Sequence, residues 1–502
     1  MTIAEASFMT LTQQEGEFHF SVATETTPGY LRYLPEFLEN YYVLRAFRRV
    51  ENIRRFNIGN QYYLVFTAYL PKSSEHIDVT IEASTERGRP IHVIVSRSSP
   101  DISEELIKGI EENILLELQL FEDYARQYTL YLAYIPGQKI SEQKYGRGIL
   151  EKLFTDSMVN LFIIFIVVAV GTFALFNAVF GQELSLLLSP IVIVVSQLLV
   201  VAYSGRLIAR TSDWRITKDR PEVKVLQYTL TEQEADILRK KHRKELPKIR
   251  KEIYDSTLAT GKQITCENAH PIFTKYGIAC TPQNLIVKTV NLYDLVSKAC
   301  GKFNVPIPTI VVSNKMAANA AATGLSPKRG TMLVTTGAIV QLNENELFQV
   351  IGHEVSHLKG HDPFILFFIL SIEYIIRVYA LTFLPAIAAI IQGIFVIYFL
   401  ALLGLTFFIG KFFEAKSDLE AAVYLKEPKV MANSLRKIGF RRLLIKKGGI
   451  SWSFLDWIRL DPHPPLSWRI KRLDEIEDTN QIKHTFLKSV GDVFKGFISS
   501  IA

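Results

Sequence analysis

Long stretches of this sequence carry no charge, and they dictate the solvent in which the chain folds. Met158–Phe180 is apolar and uncharged for about 23 residues, Gly181-Gln182-Glu183 interrupts it, and Leu184–Tyr203 is apolar for about 20 more. A second block, Pro363–Gly410, runs for about 48 residues with only Glu373 and Arg377 inside it and Pro385 marking a turn. Roughly 20 apolar residues cross the hydrocarbon core of a bilayer. The pattern therefore predicts two transmembrane hairpins, 158–204 and 363–410, four helices in all. A mean hydropathy of +0.16 agrees with a membrane chain. Glu373 and Arg377 stand four apart, so they are expected to pair and neutralise each other inside the third span.

The net charge of +7 admits two partners, a nucleic acid or an anionic membrane surface. The Lys and Arg cluster beside the apolar runs, which favours the bilayer and argues against nucleic acid. Their distribution also predicts an orientation. The turns near Gln182 and Pro385 hold no Lys or Arg, whereas Lys139, Lys144 and Arg147 precede the first span. Arg206, Arg210, Arg215 and Lys218 follow the second, and Lys411 and Lys416 follow the last. The positive-inside rule puts this shared side in the cytoplasm. The three cysteines, Cys266, Cys280 and Cys300, form no C-x-x-C pair. They predict neither a disulfide framework nor a cysteine metal knuckle, and free thiols fit a reducing compartment. Glu5, Glu15 and Glu17 with no apolar core leave no cleavable signal peptide to expect.

The polar segments divide as follows. Residues 1–150 read as an α+β accessory domain, with strands at Tyr62–Leu70, His76–Ala83 and Ile91–Ser96, an amphipathic helix from Ile102 to Arg126, and a β-rich run at Tyr128–Tyr134. Residues 205–362 are soluble again, and Thr231-x-x-Glu234 predicts a capped, charged helix. Residues 411–480 are polar and helical. In 481–502, Phe486, Val490, Val493, Phe494, Phe497 and Ile501 recur at helical spacing among Lys483, Lys488 and Lys495. That tail fits either a membrane-surface helix or one docked on the neighbouring domain.

His353-Glu354-Val355-Ser356-His357 carries the chemistry. On a helix, residues four apart share a face, so both imidazoles can grip one metal ion. Glu354, beside the first histidine, is placed to act as general base and then pass the proton to a leaving amine. Asn343 with Glu346 predicts the helix start, and Leu347, Val350, Ile351, Val355 and Leu358 give it an apolar stripe. A third ligand is needed. His361 shares the face but sits one turn too far along. A histidine at 363 would complete another known spacing, but that residue is Pro363. Glu414 remains, in Glu414-Ala415-Lys416-Ser417-Asp418, with Asp418 four residues on and able to fix a histidine's tautomer. Glu414 can reach the histidines only if the chain crosses the bilayer an even number of times between them, and two helices in 363–410 satisfy that parity.

From about 280 to 475 the sequence resembles the HtpX-like membrane metalloproteases, relatives of the CAAX prenyl proteases. The resemblance rests on Asn319-Ala320-Ala321-Ala322-Thr323-Gly324, Val334-Thr335-Thr336-Gly337, the His353–His357 motif followed by Asp362 and an apolar hairpin, Glu414 with Asp418, and His463-Pro464-Pro465 with Arg469 and Leu473. It implies a mainly helical gluzincin-type fold. It also implies one zinc ion per chain held by His353, His357 and Glu414, with Glu354 as base and Asp418 supporting the ligands. It further implies that Asn319 and Ala320 lie on an edge strand that pairs with substrate backbone. His463 or Arg469 would stand near the developing oxyanion or order the ligands. Two features depart from the family pattern: the long N-terminal region, and Lys416 and Ser417 before the aspartate.

The expected molecule is thus an α+β membrane protein: accessory domain 1–150, hairpin 158–204, soluble region 205–362, hairpin 363–410, third-ligand region 411–480 and tail 481–502. Its expected activity is zinc-dependent endopeptidase cleavage of exposed or misfolded membrane and cytoplasmic polypeptides. Two alternatives stay open: a non-catalytic membrane adaptor with structural zinc, and a CAAX-type processing protease. The latter family has more spans than the four segments here.

Overall fold

Hydrophobic periodicity sets the first layer. The computed structural model describes residues 12–14, 16–71, 74–86, 88–138, 158–384, 386, 390, 393–447 and 453–501. The Pro385 turn and the basic residues Lys139, Lys144 and Arg147 lie outside the described residues. An antiparallel six-stranded sheet runs in the order β1-β2-β6-β5-β4-β3. Its strands are β1 Thr12–Gln14, β2 Glu17–Val22, β3 Val50–Ile58, β4 Gln61–Tyr69, β5 His76–Ser84 and β6 Ile91–Arg97. Alternate residues Ile77, Val79, Ile81 and Ala83 of β5, and Ile91, Val93 and Val95 of β6, turn to the core. Ile107, Ile110, Ile114, Leu118 and Phe121 of the Glu104–Gln127 helix meet them at helical spacing. Ser103 caps that helix by accepting from Leu106 N.

The next strand, β7 (Thr129–Tyr134), leaves this layer. It pairs with β9 (Glu222–Thr229), which in turn pairs with β10 (Leu285–Asn291). This small sheet is apolar on both faces. Leu130, Leu132, Leu226 and Tyr228 pack against the helices Glu232–Lys241, Leu246–Ser256 and Cys266–Lys275. Ala133, Val223 and Val225 face the opposite core. That second core also takes the inner face of a four-stranded sheet, β12-β13-β11-β8. Here β8 is Trp214–Ile216, β11 Thr309–Ser313, β12 Ala320–Thr323 and β13 Thr331–Thr335. Leu347, Val350, Ile351 and Val355 of the Glu344–Gly360 helix complete it. The chain is therefore mixed helix and sheet, and mostly helical.

The cysteine expectation needs correcting. Cys266 and Cys280, 14 residues apart, are joined in a disulfide that closes the segment around the Cys266–Lys275 helix. Only Cys300 is a free thiol, and it is buried. No C-x-x-C spacing announces this bond because the two residues meet through the return of the chain from helix to β10.

Four apolar helices pack in succession. Met158–Phe180 lies on Gln182–Thr211, which lies on Asp362–Phe383, which lies on Phe395–Leu425. Among the described residues, two are long and apolar enough to cross a membrane: Gln182–Arg210, with an 18-residue stretch of mean hydropathy 2.5, and Asp362–Phe383, with one of 2.0. Val167–Phe180 is a shorter apolar helix. Glu373 and Arg377 pair as expected, with Arg377 Nε donating to Glu373 Oε1 at 2.8 Å. Tyr398 Oη donates to the same oxygen at 2.8 Å and ties the two helices together. The tail forms the helix Thr485–Ser499 and docks on Phe395–Leu425.

Gly337 shows why its motif ends in glycine. Its N–H donates to Lys315 O at 2.8 Å, and a Cβ there would stand 2.2 Å from Met316 O and 2.8 Å from Ala317 C. Those are backbone atoms of the loop that leads into β12, so they cannot swing aside. Gly337→Ala should cost about 1–3 kcal/mol and lower the unfolding midpoint of detergent-solubilised protein. Gly301→Ala, with open space around it, should not.

Candidate metal centre

Two helices bring the donors together. Glu344–Gly360 begins in the expected capping box, Asn343 accepting from Glu346 N and the Glu346 carboxylate accepting from Asn343 N, each at 2.9 Å. His361, at φ 54°, ends it, and the apolar helix starts at once at Asp362. Phe395–Leu425 is one continuous helix of 31 residues: its first half is apolar and its second half carries Glu414 and Asp418. It lies against Glu344–Gly360. Ser356 buttons the pair, its Oγ 3.1 Å from Ser417 Oγ and donating to Glu420 Oε2 at 2.7 Å.

One atom from each of His353, His357 and Glu414 falls within a 4.8 Å cluster, the candidate metal group. His353 Nε2 and His357 Nε2 are 3.1 Å apart. Glu414 Oε1 lies 3.4 Å from His357 Nε2, and Glu414 Oε2 lies 3.5 Å from His353 Nε2. Metal–ligand bonds of roughly 2.0–2.1 Å in a tetrahedron separate donors by about 3.4 Å, so the triangle has the right size for one ion. Glu414 Oε2 is buried and makes no hydrogen bond, which leaves a lone pair to spare. Burial opposes protonation of both rings. At His353, Asp418 and Glu414 outweigh it and hold the pKa at about 9; at His357, Asp362 and Glu414 hold it at about 10. The pocket thus draws in positive charge, and a divalent cation on these three donors fits that demand.

Each imidazole has a carboxylate behind it. His353 Nδ1 is 2.9 Å from Asp418 Oδ1. Arg469 grips Asp418 from the far side with two bonds of 2.7 Å, and its Nη2 is 3.4 Å from Glu414 Oε2. Against burial, Arg469 and His353 together hold the Asp418 carboxyl well below its ordinary range. His357 Nδ1 is 2.9 Å from Asp362 Oδ2. Lys416 Nζ donates to both Asp362 oxygens, at 2.5 and 2.6 Å. A Cβ on Gly360 would sit 2.2 Å from Lys416 Nζ and 2.4 Å from Asp362 Oδ1, so the glycine makes room for this pair.

The other sequence-predicted residues are distributed around the centre. Glu354 is buried, next to His353 in the chain. His463 is 44% exposed, its Nδ1 2.7 Å from Asp461 Oδ1 and its Nε2 3.5 Å from Glu414 Oε2. His361 is exposed, and its Nδ1 contacts Lys359 O, so it stands outside the group. Asn319 spends its backbone on Thr335: its N–H donates to Thr335 Oγ1 at 2.9 Å and its C=O accepts from Thr335 N at 3.0 Å. Ala320 opens β12, the outermost strand of its sheet, which packs beside the Glu344–Gly360 helix. Antiparallel ladders alternate, so the N–H and C=O of Ala320 and Ala322 turn away from β13 toward the open edge.

Sequence reasoning missed Asp362 as the partner of His357, and Lys416 as its counter-charge. Both residues of the second departure from the family pattern are used, Lys416 on Asp362 and Ser417 on Ser356. The signal was an aspartate five residues past His357 and a lysine two past Glu414, but their meeting depends on the helix pairing. Removing the charge should release Asp362. Lys416→Met is expected to weaken metal binding roughly 10–100-fold in competition with a chelating dye, with the fold intact by circular dichroism.

Residues 288–477 match the model of Peptidase family M48. Three relatives each share a stretch of sequence with the chain. A Protease HtpX homolog of Pediococcus pentosaceus is 49% identical over 59 residues, 12% of this chain and 20% of that protein. One of Thermodesulfovibrio yellowstonii is 42% identical over 71 residues, 14% of this chain and 25% of that protein. Protease HtpX homolog 2 of Methanosarcina acetivorans is 29% identical over 163 residues, 29% of this chain and 54% of that protein. The chain spans between a fifth and about half of the length of these curated relatives. The region that holds the three donors and their carboxylates thus matches Peptidase family M48, and relatives that share part of this chain's sequence are named Protease HtpX homologs.

Proposed function

We propose that the chain is a membrane-embedded zinc endopeptidase. The observation that carries the reading is the donor triangle of His353, His357 and Glu414 with Glu354 adjoining it. Zinc bound there supplies a Lewis acid that polarises a carbonyl and lowers the pKa of water. Glu354 takes a proton from the attacking water and delivers it to the leaving amine nitrogen. His463, held by Asp461 at the exposed rim, faces the position where the carbonyl oxygen gathers charge. Arg469 is fully engaged by Asp418 and acts through it, as a positioning residue. An extended substrate adds to the open edge of β12, using the N–H and C=O of Ala320 and Ala322. Asn319, with its backbone committed to Thr335, shapes the start of that edge.

The spans in this reading are Met158–Phe180, the apolar part of Gln182–Thr211, Asp362–Phe383 and the first half of Phe395–Leu425. They divide the chain as the apolar pattern suggests, with 1–150 as accessory domain, and bring the donors to one side. Flexible chain that fits an edge strand beside the bilayer makes exposed or misfolded membrane and cytoplasmic polypeptides the substrates, a quality-control role. Loop charge favours the cytoplasm for the catalytic side. The Cys266–Cys280 bond pulls the other way, since disulfides persist in oxidising compartments. Loop charge acts on insertion itself and is given the greater weight.

Two measurements test this. Purified wild type should contain one zinc and digest casein, and Glu354→Gln should keep the zinc and lose at least 100-fold in rate, within the range expected for a general base. A variant that cleaves as fast as wild type sinks the mechanism, and zinc-loaded wild type without activity favours a structural ion. For orientation, a cysteine at Lys218 should react with an impermeant maleimide only from the cytoplasmic side.

A further inference from the structure

The helix Thr485–Ser499 presents three faces. On one, Ser489, Val493 and Gly496 are buried. This face seats on Phe395–Leu425: Thr485 Oγ1 donates to Glu420 Oε1 at 3.1 Å and Ser489 Oγ to Ala415 O at 3.2 Å. Phe494 and Phe497 pack on Phe408, and Phe494 on Phe412, with ring centroids 5.3–6.0 Å apart. On the second face Leu487, Phe494 and Ile498, with Ile501 just beyond, are 48–67% exposed. Their spacing of i, i+7, i+11 and i+14 makes one continuous stripe. His484, Lys488 and Lys495 line the third face, next to that stripe. Asp492 turns inward to Arg472 at 2.8 Å, with Lys488 3.5 Å away.

A second segment extends the apolar surface. Leu455, Ile458 and Leu460 are about half exposed, while Trp457 is buried beneath them against Phe497. Lys411 Nζ donates to Arg459 O at 3.2 Å and also to Asp461 O. The Leu455–Leu460 segment and the Phe494–Ile501 end of the tail helix therefore meet the Phe395–Leu425 helix between Phe408 and Phe412, where its apolar half gives way to its polar half, while the Thr485–Ser489 end lies further along it, at Ala415 and Glu420. At 1.5 Å per residue, Phe408 to Phe412 spans only about 6 Å. Apolar patches of this kind are uncommon on a surface that faces water alone.

We infer that Phe494, Ile498 and Ile501, with Leu455, Ile458 and Leu460, form a collar that sinks into the headgroup–acyl boundary of the bilayer. Lys495 extends to anionic headgroups beside it. The occupant is lipid because the collar is continuous with an apolar helix at the depth where that helix leaves the apolar phase. This inference rests on the membrane reading proposed above. The collar carries the segment from Leu460 to His463, so lipid contact bears directly on the rim of the metal centre.

The test uses the full chain in vesicles of phosphatidylcholine and phosphatidylglycerol. Single cysteines at Leu455, Ile498, Val195 and Glu477 receive an environment-sensitive fluorophore. Leu455 and Ile498 labels should be quenched several-fold more by a lipid bearing its nitroxide near the headgroup than by aqueous iodide, and Glu477 the reverse. The lipid quenching of the first two should fall when phosphatidylglycerol is omitted or in Lys495→Gln. Quenching that ignores both changes removes the lysine from the proposal. Labels at Leu455 and Ile498 that answer to iodide overturn it, as do labels shielded from both quenchers, which would mean a second copy covers the face. Val195, at mid-span, is read with a lipid bearing its nitroxide deep on the acyl chain: if it escapes that quencher the membrane reading fails, and if it alone is lipid-quenched only the collar fails.

Discussion

Two carboxylates, one behind each imidazole, hold the rest of the site in register. Asp418 at His353 and Asp362 at His357 sit on different helices from each other, and each is held by its own cation, Arg469 and Lys416. All four charged groups are buried. Isolated charges there would be costly, and removing one partner would leave the other uncompensated. The pairs therefore lock the approach of the Glu344–Gly360 and Phe395–Leu425 helices, and the three candidate donors inherit their spacing from that lock. Ser356, Ser417 and Glu420 add a hydrogen-bonded link along the same seam.

The N-terminal layer is tied into the same region. Leu116 of the Glu104–Gln127 helix packs into the core formed by Ala422, Met431, Leu435 and Ile470, and Arg441 pairs with Asp123 at 2.6 Å. Nearer the site, Lys437 Nζ meets Glu346 Oε2 at 2.9 Å, and Lys288 Nζ caps the carbonyls of Val340 and Leu342 at 2.9 and 2.6 Å. Burial depresses Lys288 to about 8 against the pull of Glu25. The start of the histidine helix is thus surrounded by buried charge contributed from every layer.

What could be read from sequence follows the range of the interactions. Strand alternation in β4–β6, the helix face of Ile107–Phe121 and the capping boxes at Thr231 and Asn343 are local, and they stood in the sequence plainly. The pairing of His353 and His357 is one helical turn, also local. Glu414 entered through a parity argument about spans and a family resemblance. The departure of β7 to a different sheet left no such trace, because β7 is apolar on both faces and its partner β9 lies beyond the first apolar hairpin. Asp362, Lys416 and the Cys266–Cys280 bond were hidden for a similar reason: each depends on two segments meeting, and composition carries no information about that.

Asp362 has a double position. It is the residue against His357 Nδ1 and also the first residue of an apolar helix, with a single left-handed residue, His361, between that helix and the one that carries the histidine motif. There is no slack to absorb a displacement. If that helix rises, sinks or tilts to match the thickness of its lipid, the carboxylate travels with it and drags the imidazole. In the membrane reading proposed above, the fold would couple the state of the bilayer to a candidate metal ligand through a joint one residue long.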